Sequence, residues 1–454
     1  MKSNWKTLAA VIATAGTLAA VAADDAELSA LKKQISELST RIQMLEHQED
    51  NDMATAMAAP KITLGGNGFS FSSADSNFVT QIHGLIDADS RSFISDGNIN
   101  GNDGFLLRKA RPIFTGTVFR DFDYNFTTEF GGSTVQIMDA YVNWHYNPAW
   151  QIQAGKFKSP VGLENLQSDP NVLFNERSIA NNLIPNRDLG IMLKGDLFGG
   201  AASYAVGIFN GAPDYTGTTV NTPFQDDKAV AGRVFFQPWK NTKVKPLKGL
   251  GFGIGGSYEV DHPTSNSTTN SLTAGYLTDG QQKFFAFKSS AYSDGPHWRL
   301  SPQASYYYGP FGLMAEYVVS DMQARSGTNS ADLQNTGWEV TASWLLTGED
   351  ATYGAITPNK PFDLRKNQWG ALQLVARYGE LDIDNRAFKG SIYADPTKSA
   401  TGAQTWSAGL NWYLNKSIRA NASFSHTEFD GPVTSGNVAY KPENVVFSRL
   451  QLAF

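Results

Sequence analysis

The sequence predicts an all-β fold, a 16-stranded antiparallel transmembrane β-barrel, preceded by a short α-helical coiled coil. Three observations predict it. From Lys61 onwards apolar and polar residues alternate in segments, many of them about ten residues long, the length a tilted membrane-spanning strand needs. The final segment, 444–454, places Val446, Ser448, Leu450, Leu452 and Phe454 on one face and Phe447, Arg449, Gln451 and Ala453 on the other. Pairing that strand with the first closes the sheet and removes the open edges that hydrocarbon cannot tolerate. Residues 1–23, finally, read as a secretory signal peptide.

Composition agrees. The 454 residues include 42 Gly, 28 Phe, 17 Tyr and 10 Trp, which suits a wide barrel with aromatic girdles. With no Cys, neither a disulfide framework nor thiolate chemistry is available. Beyond residue 60 there are 32 bases against 35 acids, which argues against a nucleic-acid surface. No run of about 18 apolar residues exists, so a helical membrane protein is excluded. The competing reading of the alternation is a soluble sandwich that buries its apolar faces on each other. Strand lengths, leader and terminal Phe454 together favour the membrane barrel.

In chain order, Lys2 and Lys6 make a positive n-region, and Leu8 to Val21 an apolar core too short to span comfortably. Ala20-Val21-Ala22 or Val21-Ala22-Ala23 offers a cleavage site, and export to the periplasm or outer membrane follows. In 24–50, Leu28, Leu31, Ile35, Leu38, Ile42 and Leu45 recur at spacings of three and four, the seam of a periplasmic coiled coil. The same pattern suits one amphipathic helix lying on a barrel rim. Residues 51–78 are expected to be a linker, and 79–454 the barrel.

Sixteen strands are expected at 79–94, 105–119, 122–130, 134–146, 150–157, 188–198, 201–210 and 228–238, then 249–260, 297–308, 312–322, 335–346, 369–382, 403–414, 418–428 and 444–454. An even count puts both ends on the periplasmic side. Tight joints such as Arg120-Asp121 and Gly309-Pro310 then fall there, and the long connections 158–187, 261–296 and 383–402 fall outside. Residues 347–368 break the pattern as a long periplasmic turn, and Lys283–Lys288 make a hairpin-like patch within an outer loop.

Alternation also assigns faces. Leu372, Leu374, Ala376 and Tyr378 face lipid, as do Trp338, Val340, Ala342 and Trp344, and Trp406, Ala408, Leu410 and Trp412. The lumen receives Arg91, Lys109, Arg111, Arg233, Arg299, Arg377, Arg419 and Arg449. It also receives Asp87, Asp89, Asp123, Glu129, Asp139, Glu259, Glu316 and Glu339. Because the barrel seam joins strands 13, 15, 16, 1 and 2, their arginines could form a basic stripe. Arginine suits phosphate, since its planar fork pairs two oxygens and stays charged. The acids could equally balance the bases and leave a transverse field with modest selectivity.

Several stretches resemble the phosphate-selective porin family of Gram-negative outer membranes. They include Arg108-Lys-Ala-Arg-Pro-Ile-Phe-Thr-Gly, Asp139-Ala-Tyr-Val, Ala154-Gly-Lys-Phe-Lys-Ser-Pro-Val-Gly-Leu-Glu, Glu176-Arg-Ser and Arg187-Asp-Leu-Gly. Further on come Ala231-Gly-Arg-Val, Ala376-Arg-Tyr and Gly409-Leu-Asn-Trp-Tyr-Leu. Each motif is weak alone, but their order is specific and covers nearly everything after residue 78. The resemblance implies a sixteen-stranded homotrimer that conducts small anions, phosphate or polyphosphate, through a basic constriction in the outer-membrane lipid. The bases inside matched motifs, expected to line the pore and bind anions, are Lys109, Arg111, Lys158, Arg177, Arg187, Arg233 and Arg377. The connection 158–187 is expected to fold into the lumen as the pore loop; its Val172, Leu173, Phe174, Ile179, Leu183 and Ile184 suit an ordered loop.

No catalytic, metal or cofactor site is expected. Asp261-His262-Pro-Thr-Ser265-Asn266 holds residue types suited to hydrolysis, but in a Ser/Thr/Asn-rich loop such closeness is usually coincidence. Two other functions fit the same barrel: a weakly selective general-diffusion porin, and a non-conducting anchor whose coil binds a periplasmic partner.

Overall fold

The computed structural model describes residues 25–454 apart from 66–67, 95–100, 133, 215–226, 263–271, 273–274 and 432–440. The expected signal peptide and the Ser265-Asn266 pair lie outside these residues. The chain divides into two units, one made of residues up to Pro60 with 73–75, the other of everything else.

In the first unit a single helix, α1 (Asp25–Ala58), continues through residues expected to be linker. Met53, Ala54, Ala56, Met57 and Ala58 are good helix formers, and the first breaker is Pro60. Leu31, Ile35, Leu38, Ile42 and Leu45 are 53–60% exposed, so the heptad seam is bare in the single chain.

The second unit opens with a hairpin that the expected linker also missed, β1 (Lys61–Gly65) and β2 (Gly68–Ser72). The period is readable, but five-residue strands fall below the spanning length used to recognise the others. Strand β2 pairs with residues 79–82 at the start of the next strand. Gly68, at φ +83°, is required there, because a Cβ would sit 2.1 Å from the Ile82 carbonyl oxygen.

Sixteen strands then close the barrel: β3 (Val79–Phe93), β4 (Gly104–Val118), β5 (Phe122–Glu129), β6 (Gln136–Asn147), β7 (Trp150–Lys158), β8 (Arg187–Leu197), β9 (Ala202–Phe209), β10 (Ala229–Phe236) and β11 (Leu250–Asp261). Past a two-stranded outer ribbon, β12 (Tyr276–Leu277) and β13 (Lys283–Phe285), come β14 (Tyr292–Tyr308), β15 (Phe311–Ser326), β16 (Asn329–Leu345), β17 (Ala371–Asp382), β18 (Gly402–Tyr413), β19 (Ile418–Asp430) and β20 (Glu443–Ala453). Each pairs antiparallel with its neighbour, and β20 returns to β3 with Ala453 opposite Leu85 and Val445 opposite Phe93. The Phe454 N–H and C=O each bond Gly84 at 3.0 Å, and its ring covers Gly84 so closely that a Cβ would lie 2.6 Å from Cζ.

The faces follow the alternation. Gln373, Arg377, Glu339, Thr341 and Ser343 are at most 7% exposed, while Leu374, Tyr378, Trp344, Trp406 and Leu410 are 37–46% exposed on the outer wall. Strands β14 to β16 run longer than expected, to 17, 16 and 17 residues, because polar outer ends extend past the apolar stretch used to delimit them.

The apolar core lies inside the barrel and is shared by loops and inward strand residues such as Phe157, Met192, Val318 and Met322. Val161, Ile179, Leu183 and Ile184 of the 159–186 connection pack with Tyr276, Phe284 and Phe285 of an outer loop and Tyr393 and Ala394 of another. Segment 347–368 turns inward too, burying Ala351 and Ile356 on Leu345, Ala371 and Tyr413. Its Tyr353 hydroxyl donates 2.7 Å to the Leu163 carbonyl, and the Gln167 side chain donates back to the Tyr353 carbonyl at 2.9 Å. The unexplained long turn is a support beneath the inward loop.

Candidate functional site: the constriction

The 159–186 connection is tethered on its back face. A short helix, α2 (Leu163–Leu166), points its first N–H groups at Glu316 on β15, which accepts from Leu163 at 2.9 Å and Glu164 at 3.2 Å. This satisfies backbone donors that a helix start leaves unpaired. Arg377 on β17 bonds the Glu164 carboxylate at 3.3 Å, the Glu176 carbonyl at 3.0 Å and Asp279 at 2.7 Å, with its guanidinium 4.5 Å from the Phe174 ring centre. Asn411 and Arg419 donate to the Leu173 and Val172 carbonyls at 3.0 and 2.9 Å.

The front face reaches the β3–β8 wall through two carboxylates. Asp169 accepts from Arg111 and Arg177, the latter at 2.6 Å, with Lys158 at 3.8 Å. Glu176 accepts from Arg108 Nε and Arg91, both at 2.6 Å. Burial alone would push the Asp169 carboxyl up, but Arg111, Lys109, Lys158 and Arg177 outweigh it and hold it well below the usual carboxylate range. Burial opposes ionisation of Glu176 in the same way, and Arg108 and Arg91 overcome it. A depressed folded-state pKa keeps its stabilisation above the unfolded value and loses it progressively as pH falls from there through the folded value. Loop docking, read as single-channel conductance at constant ionic strength, is therefore expected to hold from pH 7 down to about pH 4. A conductance step between pH 6 and about pH 4 that Asp169→Asn/Glu176→Gln abolishes would show that these carboxylates titrate normally.

Two cavities flank the loop. The outer one, about 70 Å³, is lined by Arg108, Lys109, Arg111, Arg177 and Arg187 against Asp169 and Glu176, a surplus of three positive charges. The inner one, about 500 Å³, has Arg111, Lys158, Arg187 and Lys194 against Asp139 and Asp169, a surplus of two. Arg111, Asp169 and Arg187 belong to both and so lie between the two cavities.

Five of the seven expected bases, Lys109, Arg111, Lys158, Arg177 and Arg187, therefore line one cavity or both. Arg233 and Arg377 line neither. Arg233 bonds Gln303 at 2.9 Å and covers the Phe235 ring, and Arg377 lies behind the loop as its tether. Strand alternation told which face they occupy but not which side of an inward loop. The expected basic stripe at the seam is largely balanced: Arg449 pairs with Asp89 at 2.6 Å and Asp87 at 3.3 Å, and Lys109 with Asp87 at 3.2 Å. Arg108 and Lys194 were not expected at the site. Strict alternation sends Arg108 outward, but the β3–β4 register slips between Asp87–Lys109 and Ala88–Leu107, and the bulge turns Arg108 inward beside Lys109. Alternation on β8 would have found Lys194, two residues past inward Met192.

Residues 81–454 match the family model of phosphate-selective porins O and P. The chain belongs to that family. Porin O of Pseudomonas aeruginosa is 22% identical over 422 residues, covering 85% of this chain and 91% of its own. An uncharacterised protein of Caulobacter vibrioides is also 22% identical, over 77% of this chain and 68% of its own. Among solved structures, the outer-membrane channel DcaP of Acinetobacter baumannii superposes with a TM-score of 0.51 at 12% identity, over 85% of this chain and 99% of its own. OmpF of Salmonella typhi gives 0.51 at 11% identity, over 87% and 100%. This porin is thus an outer-membrane barrel, and its family and fold are those of channels. His262, weighed above as part of a hydrolytic set, has its ring 2.7 Å from the Asp227 carboxylate.

Proposed function

We propose that this porin is a passive channel taking up small anions, phosphate or polyphosphate among them. The observation that carries the reading is the positive surplus in both cavities on either side of one constriction. A basic constriction repels cations and replaces part of an anion's hydration shell. Ion pairing of Arg111, Arg187, Arg108 and Lys109 supports a second reading, general diffusion with weak anion preference. A reversal potential in a KCl gradient, with and without phosphate, separates them. Strong anion preference with phosphate block of chloride current supports the first, and cation preference in the unmodified protein would overturn both. A barrel that never conducts in a planar bilayer would instead favour the anchor.

The assembly proposed is a homotrimer joined through the barrel wall, with the coiled coil as an accessory. The bare heptad seam of α1 supports a role in association. Deleting residues 24–50 is expected to leave trimers in mild detergent. Monomers alone would make the coil, not the wall, the element that holds the assembly.

A further inference from the structure

Porin lumens are lined by polar side chains. The inner cavity departs from that: Leu85, Ile113, Phe157 and Met192 take lumen-facing positions next to Asp87, Arg111, Lys158 and Lys194. Tyr141 completes the apolar wall, its ring 5.9 Å from that of Phe157. Interleaved with them stand four bases and two acids. One of the bases, Lys194, donates to Gln153 at 2.5 Å and pairs with no carboxylate among the described residues. A concave site of about 500 Å³, in which an apolar surface is set among a few convergent charges, has the make-up of a small-molecule pocket rather than of a water-filled vestibule.

Bare phosphate gains nothing from the apolar wall, because every surface it presents is hydrated oxygen. A cation meets surplus positive charge. What suits both features is one carboxylate on a compact aryl body: the carboxylate meets Lys194 and its neighbouring bases, and the ring covers Met192, Ile113 and the Tyr141–Phe157 edge. Resting on the anion-channel reading above, we propose that the inner cavity is a binding subsite for small aryl monocarboxylates on their way to the periplasm.

The test titrates chloride current through the full-length protein in a planar bilayer with benzoate, acetate and inorganic phosphate. Benzoate is expected to half-block at about tenfold lower concentration than acetate, the scale of burying part of one ring. In Ile113→Ser/Met192→Ser the ratio of the two half-blocking concentrations is expected to fall to about one, with acetate as the internal reference. Lys194→Gln, which leaves the apolar wall in place, is expected to weaken benzoate and acetate block together. Equal block by benzoate and acetate in the unmodified channel overturns the proposal, as does a ratio that survives Ile113→Ser/Met192→Ser. Anion selectivity with no benzoate preference sinks only this subsite, whereas a cation-selective reversal potential sinks the anion reading beneath it.

Discussion

Lys109→Glu combined with Arg111→Glu is expected to turn the channel from anion-preferring to cation-preferring. Lys109 lines the outer cavity and Arg111 lines both. Each reversal changes the local charge by two, so the outer surplus of three becomes a deficit of one, and the inner surplus of two becomes zero. Field focusing in a narrow low-dielectric passage makes that sign more important than the net charge of the whole chain. Screening works against it: the Debye length is about 10 Å at 0.1 M salt and about 3 Å at 1 M, so the reversal should be large in dilute KCl and fade in concentrated KCl. A glutamate at 111 also faces Glu129 and Asp169, which now hold the arginine, and repulsion there will shift the loop. Lys109→Gln/Arg111→Gln separates the two effects, since it removes charge without adding repulsion and should give an intermediate reversal potential. If the glutamate pair leaves the reversal potential unchanged, selectivity is set elsewhere than at this constriction.

The same residues show what a sequence can and cannot carry. The barrel was legible because lipid imposes a strict rule on every spanning strand: one face apolar, length near ten residues, edges closed. Phe454 and Gly84 satisfy that rule directly, and so does each lipid-facing Trp and Leu of β16 to β18. The hairpin at 61–72 escaped because it does not span, and the outer ends of β14 to β16 because they leave the hydrocarbon. Faces were legible for Lys109 and Arg111, which lie two apart on one strand. Arg108 was not, because a bulge costs one residue of register and leaves no mark in the apolar pattern. Nor could alternation tell Arg111 from Arg377. Both point into the barrel, but the inward loop divides that space, leaving one base on the open side and the other sealed behind it. That division depends on contacts across more than 200 residues of sequence, such as Arg377 to the Glu176 carbonyl.

Arg377→Met is expected to release the loop, and the way it fails distinguishes a tether from a pore-lining base. The guanidinium bridges three partners on two loops, Glu164 and the Glu176 carbonyl on one and Asp279 on the other. Asp279 also accepts from Ser407 at 3.0 Å and Ser425 at 2.7 Å, so the arginine closes a network that pins an outer loop to β18 and β19. Methionine keeps the packing against Phe174 but strands the Glu164 and Asp279 carboxylates without their counter-charge. Removing one partner from a buried pair costs about 3–5 kcal/mol, enough to loosen the docking of a loop whose apolar anchors in the core are Val161, Ile179, Leu183 and Ile184. Single-channel traces should then show flicker and a raised mean conductance, and the 159–186 segment should become open to added protease. Arg377→Lys keeps the charge but not the fork, and one ammonium reaches Glu164 or Asp279 rather than both, so its traces should lie between. A pore-lining Arg377 would behave otherwise: methionine would lower anion preference at a quiet, unchanged conductance level, and lysine would restore it in full. That pattern would move Arg377 from the back of the loop to the path of the ion.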